Sequence, residues 1–331
     1  MLERRASVTL WISATSVCST CLLLSNKVLL NVFGSPLLIC LYQLTMAGLV
    51  AALKLAFEGY TRIGKRDLAL YIVEAWLFAI SLYANMQALM HTSVGAVIVG
   101  RSTVPVLTFL LERSFFPRKH GMFSLRHFVP LVGICCFSWL YVITDGQVQI
   151  RGRRGLCWLA VWICLVSLQM NFGKWLINAV SLKRWERVFY TNSCALPFVG
   201  FKLLVRGDMP HVLTPHPTVV LPYAFVLLLS CVAGVMISYS SWRLREIISP
   251  TAFGIVGVVN KMITVVVSSM IWPTEFSLAG TLAIIGVIAS ALSYGGSGSQ
   301  THQKKKTVSE SRTHQKNTVS KYSELISLSD E

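Results

Sequence analysis

Apolar runs of about 20 residues recur along this chain from Val8 almost to Tyr294. A run of that length crosses the roughly 30 Å hydrocarbon core of a bilayer as one helix. Charged residues make up only 13% of the 331 residues, whereas a soluble domain carries about 25%. The sequence therefore predicts an all-α membrane protein of ten transmembrane helices, at about residues 8–31, 36–57, 68–89, 92–114, 125–144, 155–178, 186–206, 219–242, 249–271 and 276–294.

Positive charge is distributed unevenly between the two ends of these runs. The formal net charge of +16 could indicate nucleic-acid binding, but the lysines and arginines lie mainly in alternate loops and in the C-terminal tail. By the positive-inside rule, this asymmetry places both termini in the cytosol. We therefore expect contact with membrane lipid and no nucleic acid. The exception is Arg151–Arg154, which indicates either a lumenal surface for an anionic substrate or a different boundary of the fifth or sixth helix.

The composition changes abruptly after residue 294. Residues 295–331 are rich in Gly, Ser, Gln and Lys, which predicts a disordered cytosolic tail. Residues 1–294 then form one membrane domain. The nine cysteines lie mostly within apolar helices, and nothing near Cys18 and Cys21 completes a metal site. We expect no cofactor and no metal.

The two halves of the domain share short sequence patterns. Lysine is followed by asparagine four residues later in the first helix, at Lys27, and in the sixth, at Lys174. Polar residues precede each lysine: Ser16 and Thr20 in one helix, Ser167 and Asn171 in the other. The fourth and ninth helices each hold a basic residue, Arg101 and Lys261. Many transporters consist of inverted repeats, so we predict two inverted five-helix repeats, at about residues 8–144 and 155–294.

Basic residues inside a membrane are costly. Those within the predicted spans are Lys27, Lys54, Arg101, Lys174, Lys202 and Lys261. Lys54 and Lys202 lie near helix ends, where snorkelling explains them. Each of the other four costs about 2.5–3.5 kcal/mol near the bilayer centre. Either backbone carbonyls and water compensate these charges, or an anionic solute does.

Acidic residues lie near span ends, except Glu74, which is about two turns inside the third helix. The buried acidic relay typical of proton-driven transport is therefore not expected. An interior dominated by cations suits a phosphorylated solute.

Two segments carry the residue types that recognise a nucleotide. Gly257 shares a helix face with Lys261, so a ligand or another helix can approach the backbone there. The Lys261 ammonium can bind phosphate, and Asn260 offers a donor and an acceptor. In the seventh helix, Tyr190 and Asn192 form an aromatic and amide cluster that suits a base, although an aromatic near a span end is also typical of an interfacial anchor.

These segments carry a family resemblance. Phe189-Tyr190-Thr191-Asn192 resembles the Phe-Tyr-x-Asn motif, and Gly257-Val258-Val259-Asn260-Lys261 resembles the Gly-Ala-Leu-Asn-Lys motif, of nucleotide-sugar transporters in the drug/metabolite transporter superfamily. The resemblance extends over about residues 8–294. It implies that Tyr190 and Asn192 contact the nucleobase and ribose region, and that Asn260 and Lys261 contact the nucleobase and phosphates.

The resemblance implies an antiporter in the Golgi membrane, or alternatively the endoplasmic reticulum. It would exchange a cytosolic nucleotide sugar for a lumenal nucleoside monophosphate. GDP-mannose or GDP-fucose type substrates are favoured, but Thr191 and Val258–Val259 depart from the motifs. UDP-sugars and phosphorylated sugars therefore stay open, as does a homodimer.

Two other classes of protein compete with a transporter. A membrane glycosyltransferase normally needs catalytic acids or metal ligands near the interface. The acids predicted on the lumenal side, Asp145, Asp208 and Glu275, are scattered singly, so we expect no enzyme. A purely structural membrane protein would not need unpaired cations inside its helices.

Overall fold

A computed structural model describes residues 2–33, 35–61, 63–92, 94–116, 125–144, 152–206, 217–271 and 278–294. The predicted tail, 295–331, lies outside the described residues. So does Arg151, whereas its neighbours Arg153 and Arg154 are described and exposed.

Helices account for almost all of the described residues, and these residues form no β-sheet. The helices are α1 (Leu2–Phe33), α2 (Pro36–Glu58), α3 (Lys65–His91), α4 (Val94–Phe115), α5 (Leu125–Thr144), α6 (Gly152–Ala179), α7 (Arg184–Arg206), α8 (Pro217–Ile247), α9 (Pro250–Ile271) and α10 (Leu278–Tyr294). Proline begins α2, α8 and α9, where its missing N–H would have no partner within the helix.

Eight of these helices are long and apolar enough to cross a membrane. Helix α10 is apolar but shorter, and α4 lies outside that set of eight. Large apolar side chains point outward from the bundle, such as Phe57 at 82% exposure and Leu278 at 80%. The described part of the chain therefore supports the predicted all-α, multi-pass membrane fold, while the count of ten spans and the cytosolic termini stay predictions.

Apolar cores lie between the helices. One joins α4, α5, α9 and α10 around Leu131 and Met262, and a second joins α2, α3 and α7 around Leu37 and Leu203. The third surrounds Tyr71 and includes residues of α6 and α8. Each core contains helices from both halves of the chain, so the two halves share their apolar cores instead of each having its own.

The helix contacts form matching pairs. Helix α1 packs on α8, as α3 packs on α6. Helix α1 also contacts α9, as α6 contacts α4, and α2 contacts α8, as α7 contacts α3. The contacts of α2 with α7 and of α4 with α9 are their own counterparts. If each of the first five helices is exchanged with the helix five places later, each of these contacts therefore maps either onto another contact of the set or onto itself.

Candidate functional site

Arg101 reaches from α4 to the backbone of α9. Its Nε donates a hydrogen bond to the Gly257 carbonyl oxygen at 3.3 Å. A Cβ added at Gly257 would lie 3.0 Å from the Arg101 Nη2. The glycine therefore makes the close approach of the guanidinium possible, one turn before Lys261.

Arg101 and Lys261 together form what we name the α4–α9 cation pair. Both side chains are half-buried, and Arg101 bonds to the α9 backbone one helical turn before Lys261. Within the described ranges, no carboxylate forms an ion pair with either residue. The Arg101 Cζ lies 5.9 Å from the centroid of the Trp162 ring, a cation–π distance. Among the described residues, Arg101 and Lys261 thus have no acidic partner, while their depth in the membrane stays a prediction.

A line of polar contacts, the α1–α9 seam, lies beside the cation pair. The Ser16 Oγ lies 2.5 Å from the Asn260 Oδ1, and the Asn260 side chain is buried. One turn further, the Thr20 and Thr264 hydroxyl oxygens are 3.4 Å apart. The seam therefore holds the amide of the second motif against the first helix.

A second line of polar contacts joins α6 to α4. The Ser167 hydroxyl donates to the Val104 carbonyl at 3.4 Å, and the Asn171 amide donates to the Thr108 carbonyl at 3.2 Å. The polar residues that precede each lysine in the sequence therefore have interhelical partners.

Residues of the seventh helix are less accessible than the resemblance implies. Asn192 is buried, and its amide donates to the Val188 carbonyl at 2.7 Å within the same helix. The Tyr190 ring is partly exposed and packs 5.8 Å from the Tyr71 ring, centroid to centroid. In the described part of the chain, no recorded hydrogen bond joins Tyr190 or Asn192 to Lys261.

Lys174 lies at the end of a neighbouring helix. Its Nζ donates to the carbonyl oxygens of Arg245, at 2.5 Å, and Glu246, at 3.1 Å. These carbonyls belong to the last turn of α8, where a cation interacts favourably with the helix dipole. These two bonds hold Lys174 to the end of α8. The side chain of Lys27 lies outside the described part of the structure.

Glu74, the acid that the sequence places two turns inside the third helix, forms a buried ion pair. The side chain is fully buried, and its Oε1 accepts bonds from the Arg245 Nη1 at 3.1 Å and the Gln169 Nε2 at 2.8 Å. A Cβ at Gly173 would collide with both ends of this ion pair, so the glycine makes room for it. In the sequence, the position of Glu74 two turns inside α3 indicates a buried acid. Its ion-pair partner could not be predicted, because Arg245 is 171 residues away along the chain.

An ionic group not predicted from the sequence joins α7 to α8. The carboxylate of Glu246 is 2.9 Å from the Arg184 Nε, 2.6 Å from the Arg187 Nη1 and 3.1 Å from the Arg243 Nη1. We name these four residues the Glu246 cluster. It ties the start of α7 to the end of α8 at one end of the bundle.

A neutral group, also not predicted, joins α1, α2 and α8. Gln43 donates to the Asn26 Oδ1 and to the Ser230 Oγ, each at 2.7 Å, and Ser230 donates to Asn26 at 2.7 Å. Asn26 directly precedes Lys27 in α1, and its side chain is occupied between helices.

The two valines that replace Ala-Leu in the second motif pack away from the cations. Val258 is almost fully buried in the α4–α5–α9–α10 core, and Val259 packs against the same core. The exchange of Ala-Leu for two valines therefore changes apolar packing rather than the polar face of Asn260 and Lys261.

Fold and site together define a multi-pass helical membrane protein in which two cations, without an acidic partner among the described residues, lie where helices of its two halves meet. No protein-family model matches the chain. The chain is 28% identical to GDP-mannose transporter GONST3 of Arabidopsis thaliana, over 76% of this chain and 68% of the relative. It is 28% identical to GDP-fucose transporter 1 of the same plant, over 84% and 82%. A GDP-mannose transporter of Cryptococcus neoformans is 23% identical, over 71% and 65%.

These relatives confirm the resemblance to nucleotide-sugar transporters of the drug/metabolite transporter superfamily. By name all three are transporters and none is an enzyme, which agrees with the prediction that this chain is not an enzyme. A solved crystal structure superposes with a TM-score of 0.63 over 88% of this chain and 97% of its own length, at 12% identity. That likeness concerns the fold alone.

Proposed function

We propose that the chain is a nucleotide-sugar antiporter, which exchanges a cytosolic GDP-mannose or GDP-fucose type substrate for a nucleoside monophosphate by alternating access. The observation that carries this proposal is the α4–α9 cation pair. Its charges come from helices of both halves, and among the described residues no acid neutralises them. A diphosphate or monophosphate group supplies the missing negative charge. Arg101 and Lys261 are assigned to the phosphates.

Charge also gives a reason for exchange rather than net uptake. Burying an unpaired ion in a closed bundle costs several kcal/mol. A bound phosphate offsets that cost, so the loaded carrier changes its facing side while the empty carrier does so slowly. Either loaded form, with nucleotide sugar or with monophosphate, then crosses the same barrier.

Recognition of the base is assigned to Asn260 and Tyr190, while Gly257 leaves room for the Arg101 guanidinium. The names of the relatives favour a guanine nucleotide. Lys27 stays a candidate phosphate ligand. Lys174 is assigned a different role, because its ammonium already holds α6 to the end of α8. Asn192 is assigned to shaping α7, since its amide bonds its own helix.

Two inverted five-helix repeats would explain the paired helix contacts. Aligning Lys27 with Lys174 places Thr20 opposite Ser167, and aligning Arg101 with Lys261 places Val104 opposite Thr264. The contact between Thr20 and Thr264 then corresponds to the contact between Ser167 and Val104. This register supports the repeats and a substrate site where they meet.

We also propose cytosolic termini, from the charge distribution, and a Golgi membrane location, from the family resemblance.

Counterflow in proteoliposomes tests the proposal. Purified protein is reconstituted, and entry of labelled GDP-mannose is compared between vesicles preloaded with GMP, vesicles preloaded with UMP, and empty vesicles. We expect GMP preloading to accelerate entry at least tenfold over empty vesicles. Equal rates in preloaded and empty vesicles would reject exchange, and a UMP preference would move the assignment to UDP-sugars. A triose phosphate that competes better than GMP would favour the phosphorylated-sugar alternative.

A further inference from the structure

Ser16 has one hydroxyl proton and two acceptors in range. Its Oγ lies 2.8 Å from the Ile12 carbonyl oxygen and 2.5 Å from the Asn260 Oδ1. The Ile12 carbonyl belongs to α1, where the backbone N–H four residues later is its regular partner. The proton is therefore free to go to Asn260 without leaving the Ile12 carbonyl unpaired.

The contact decides which way the Asn260 amide points. The Ser16 hydroxyl donates to the Asn260 Oδ1, so the amide oxygen faces α1 and the NH₂ group points away from it. No hydrogen-bond partner is recorded for this NH₂ group within the part of the chain that the structure describes.

This orientation makes the second motif a surface of donors. Gly257, Asn260 and Lys261 share one face of α9, and Arg101 bonds to the Gly257 carbonyl. The amide then presents two N–H groups beside an ammonium and a guanidinium, and its acceptor is occupied by Ser16. Ligand groups that face Asn260 must therefore be acceptors, such as phosphate oxygens or the carbonyl and ring-nitrogen edge of a base.

We propose that Ser16 is a positioning residue for substrate recognition: its hydroxyl fixes the Asn260 amide so that the NH₂ group faces the nucleotide. This inference rests on the proposed function, because it assumes that Asn260 contacts the ligand. Without the Ser16 hydroxyl, the amide can rotate and present its oxygen to the same ligand acceptor, which repels it.

The test compares GMP binding and counterflow of labelled GDP-mannose in wild type and variants. A neutral hydrogen bond contributes about 0.5–1.5 kcal/mol, so Ser16→Ala should raise the KM about 2- to 10-fold with Vmax unchanged. Ser16→Thr keeps the hydroxyl and should stay within about twofold of wild type. Ser13→Ala, on the exposed side of α1, is the matched control and should leave the KM unchanged.

A double-mutant cycle separates positioning from general support of the fold. In an Asn260→Ala background, Ser16→Ala should add less than about a twofold change, because no amide remains to be oriented. If Ser16→Ala raises the KM as much in that background as in wild type, or lowers Vmax alone, the inference is overturned.

Asn260→Asp provides a test that does not depend on folding of the Ser16→Ala variant. Aspartate can still accept from Ser16, but it places a negative oxygen where the NH₂ group was. It should weaken GMP binding more than Asn260→Ala does, and binding equal to wild type would refute the inferred orientation. If wild type itself neither binds GMP nor shows counterflow, the proposed function fails as well. If wild type exchanges normally while its KM is insensitive to Ser16→Ala, only the role of Ser16 fails.

Discussion

Neutralising Lys261 should change binding and stability in opposite directions. In the substrate-free protein, this ammonium lies near Arg101, without an acidic partner among the described residues. A lysine near the bilayer centre costs about 2.5–3.5 kcal/mol on insertion scales. Lys261→Met keeps most of the side-chain volume and removes that cost. We expect the unliganded variant to be more stable than wild type by about 1–3 kcal/mol, a lower gain than the full cost because the side chain is only half-buried.

Binding of nucleotide should weaken in the same variant. A hydrogen bond to a charged group contributes about 1.5–3 kcal/mol, which corresponds to about 10- to 100-fold in affinity. At a ligand concentration 100 times the wild-type Kd, the stabilisation by ligand is about 2.7 kcal/mol, and it should fall to about 0.4–1.4 kcal/mol in the variant.

Thermal unfolding in detergent, with and without GMP, measures both effects in one experiment. Lys54→Met is the control, because Lys54 is an exposed lysine that pairs with Glu58 at 3.0 Å. It should change neither the unfolding temperature nor the GMP shift appreciably. A Lys261→Met protein that is less stable without ligand and keeps the full GMP shift would refute the assignment of the cation pair to phosphate.

Three further outcomes follow from the packing. Gly257→Ala should displace the Arg101 guanidinium and raise the KM about 3- to 10-fold in counterflow, whereas Gly254→Ala, whose added Cβ meets nothing nearer than 3.5 Å, should leave it unchanged. Glu74→Gln removes the acid of a buried ion pair between α3 and α8, so the free energy of unfolding should fall by about 3–5 kcal/mol in chemical denaturation. Lys174→Met should lower thermal stability by about 0.5–2 kcal/mol while the KM stays within about twofold, and a large KM increase at unchanged stability would return Lys174 to the substrate site.

Helix positions were accessible from the sequence because a bilayer imposes a length on each apolar run. The predicted second span, 36–57, differs from α2 by one residue at its end. The eighth span, predicted to end at 242, continues to Ile247. The extension carries Arg245 and Glu246, whose polar side chains end a hydropathy run but not a helix.

The site was predictable only where one residue carries the signal by itself. Arg101 and Lys261 stand out because they are cations in apolar runs, and their matched places in two halves suggested a shared site. The hydrogen bond from Arg101 to Gly257 depends on how α4 crosses α9, which no local pattern encodes. For the same reason, the sequence could not distinguish Lys174, which bonds the end of α8, from a lysine that faces a ligand.

Buried pairs between distant segments were the least predictable part. Glu74 and Arg245 form an ion pair, but they are 171 residues apart along the chain, so no local pattern links them. A search of the sequence for cations without nearby acids therefore overestimates the net positive charge, because it misses acids such as Glu74 that pair with a cation from a distant segment.

The Glu246 cluster has a consequence for the speed of substrate arrival. Three guanidinium groups share one carboxylate, so the end of the bundle formed by α7 and α8 keeps an excess of positive charge. A nucleotide carrying two or more negative charges is drawn toward such a surface from beyond contact distance, and dissolved salt shortens that reach to about 8 Å at physiological ionic strength. On the side of the membrane that this end faces, the carrier would capture dilute nucleotides fastest in dilute buffer, independently of how tightly the central site holds them.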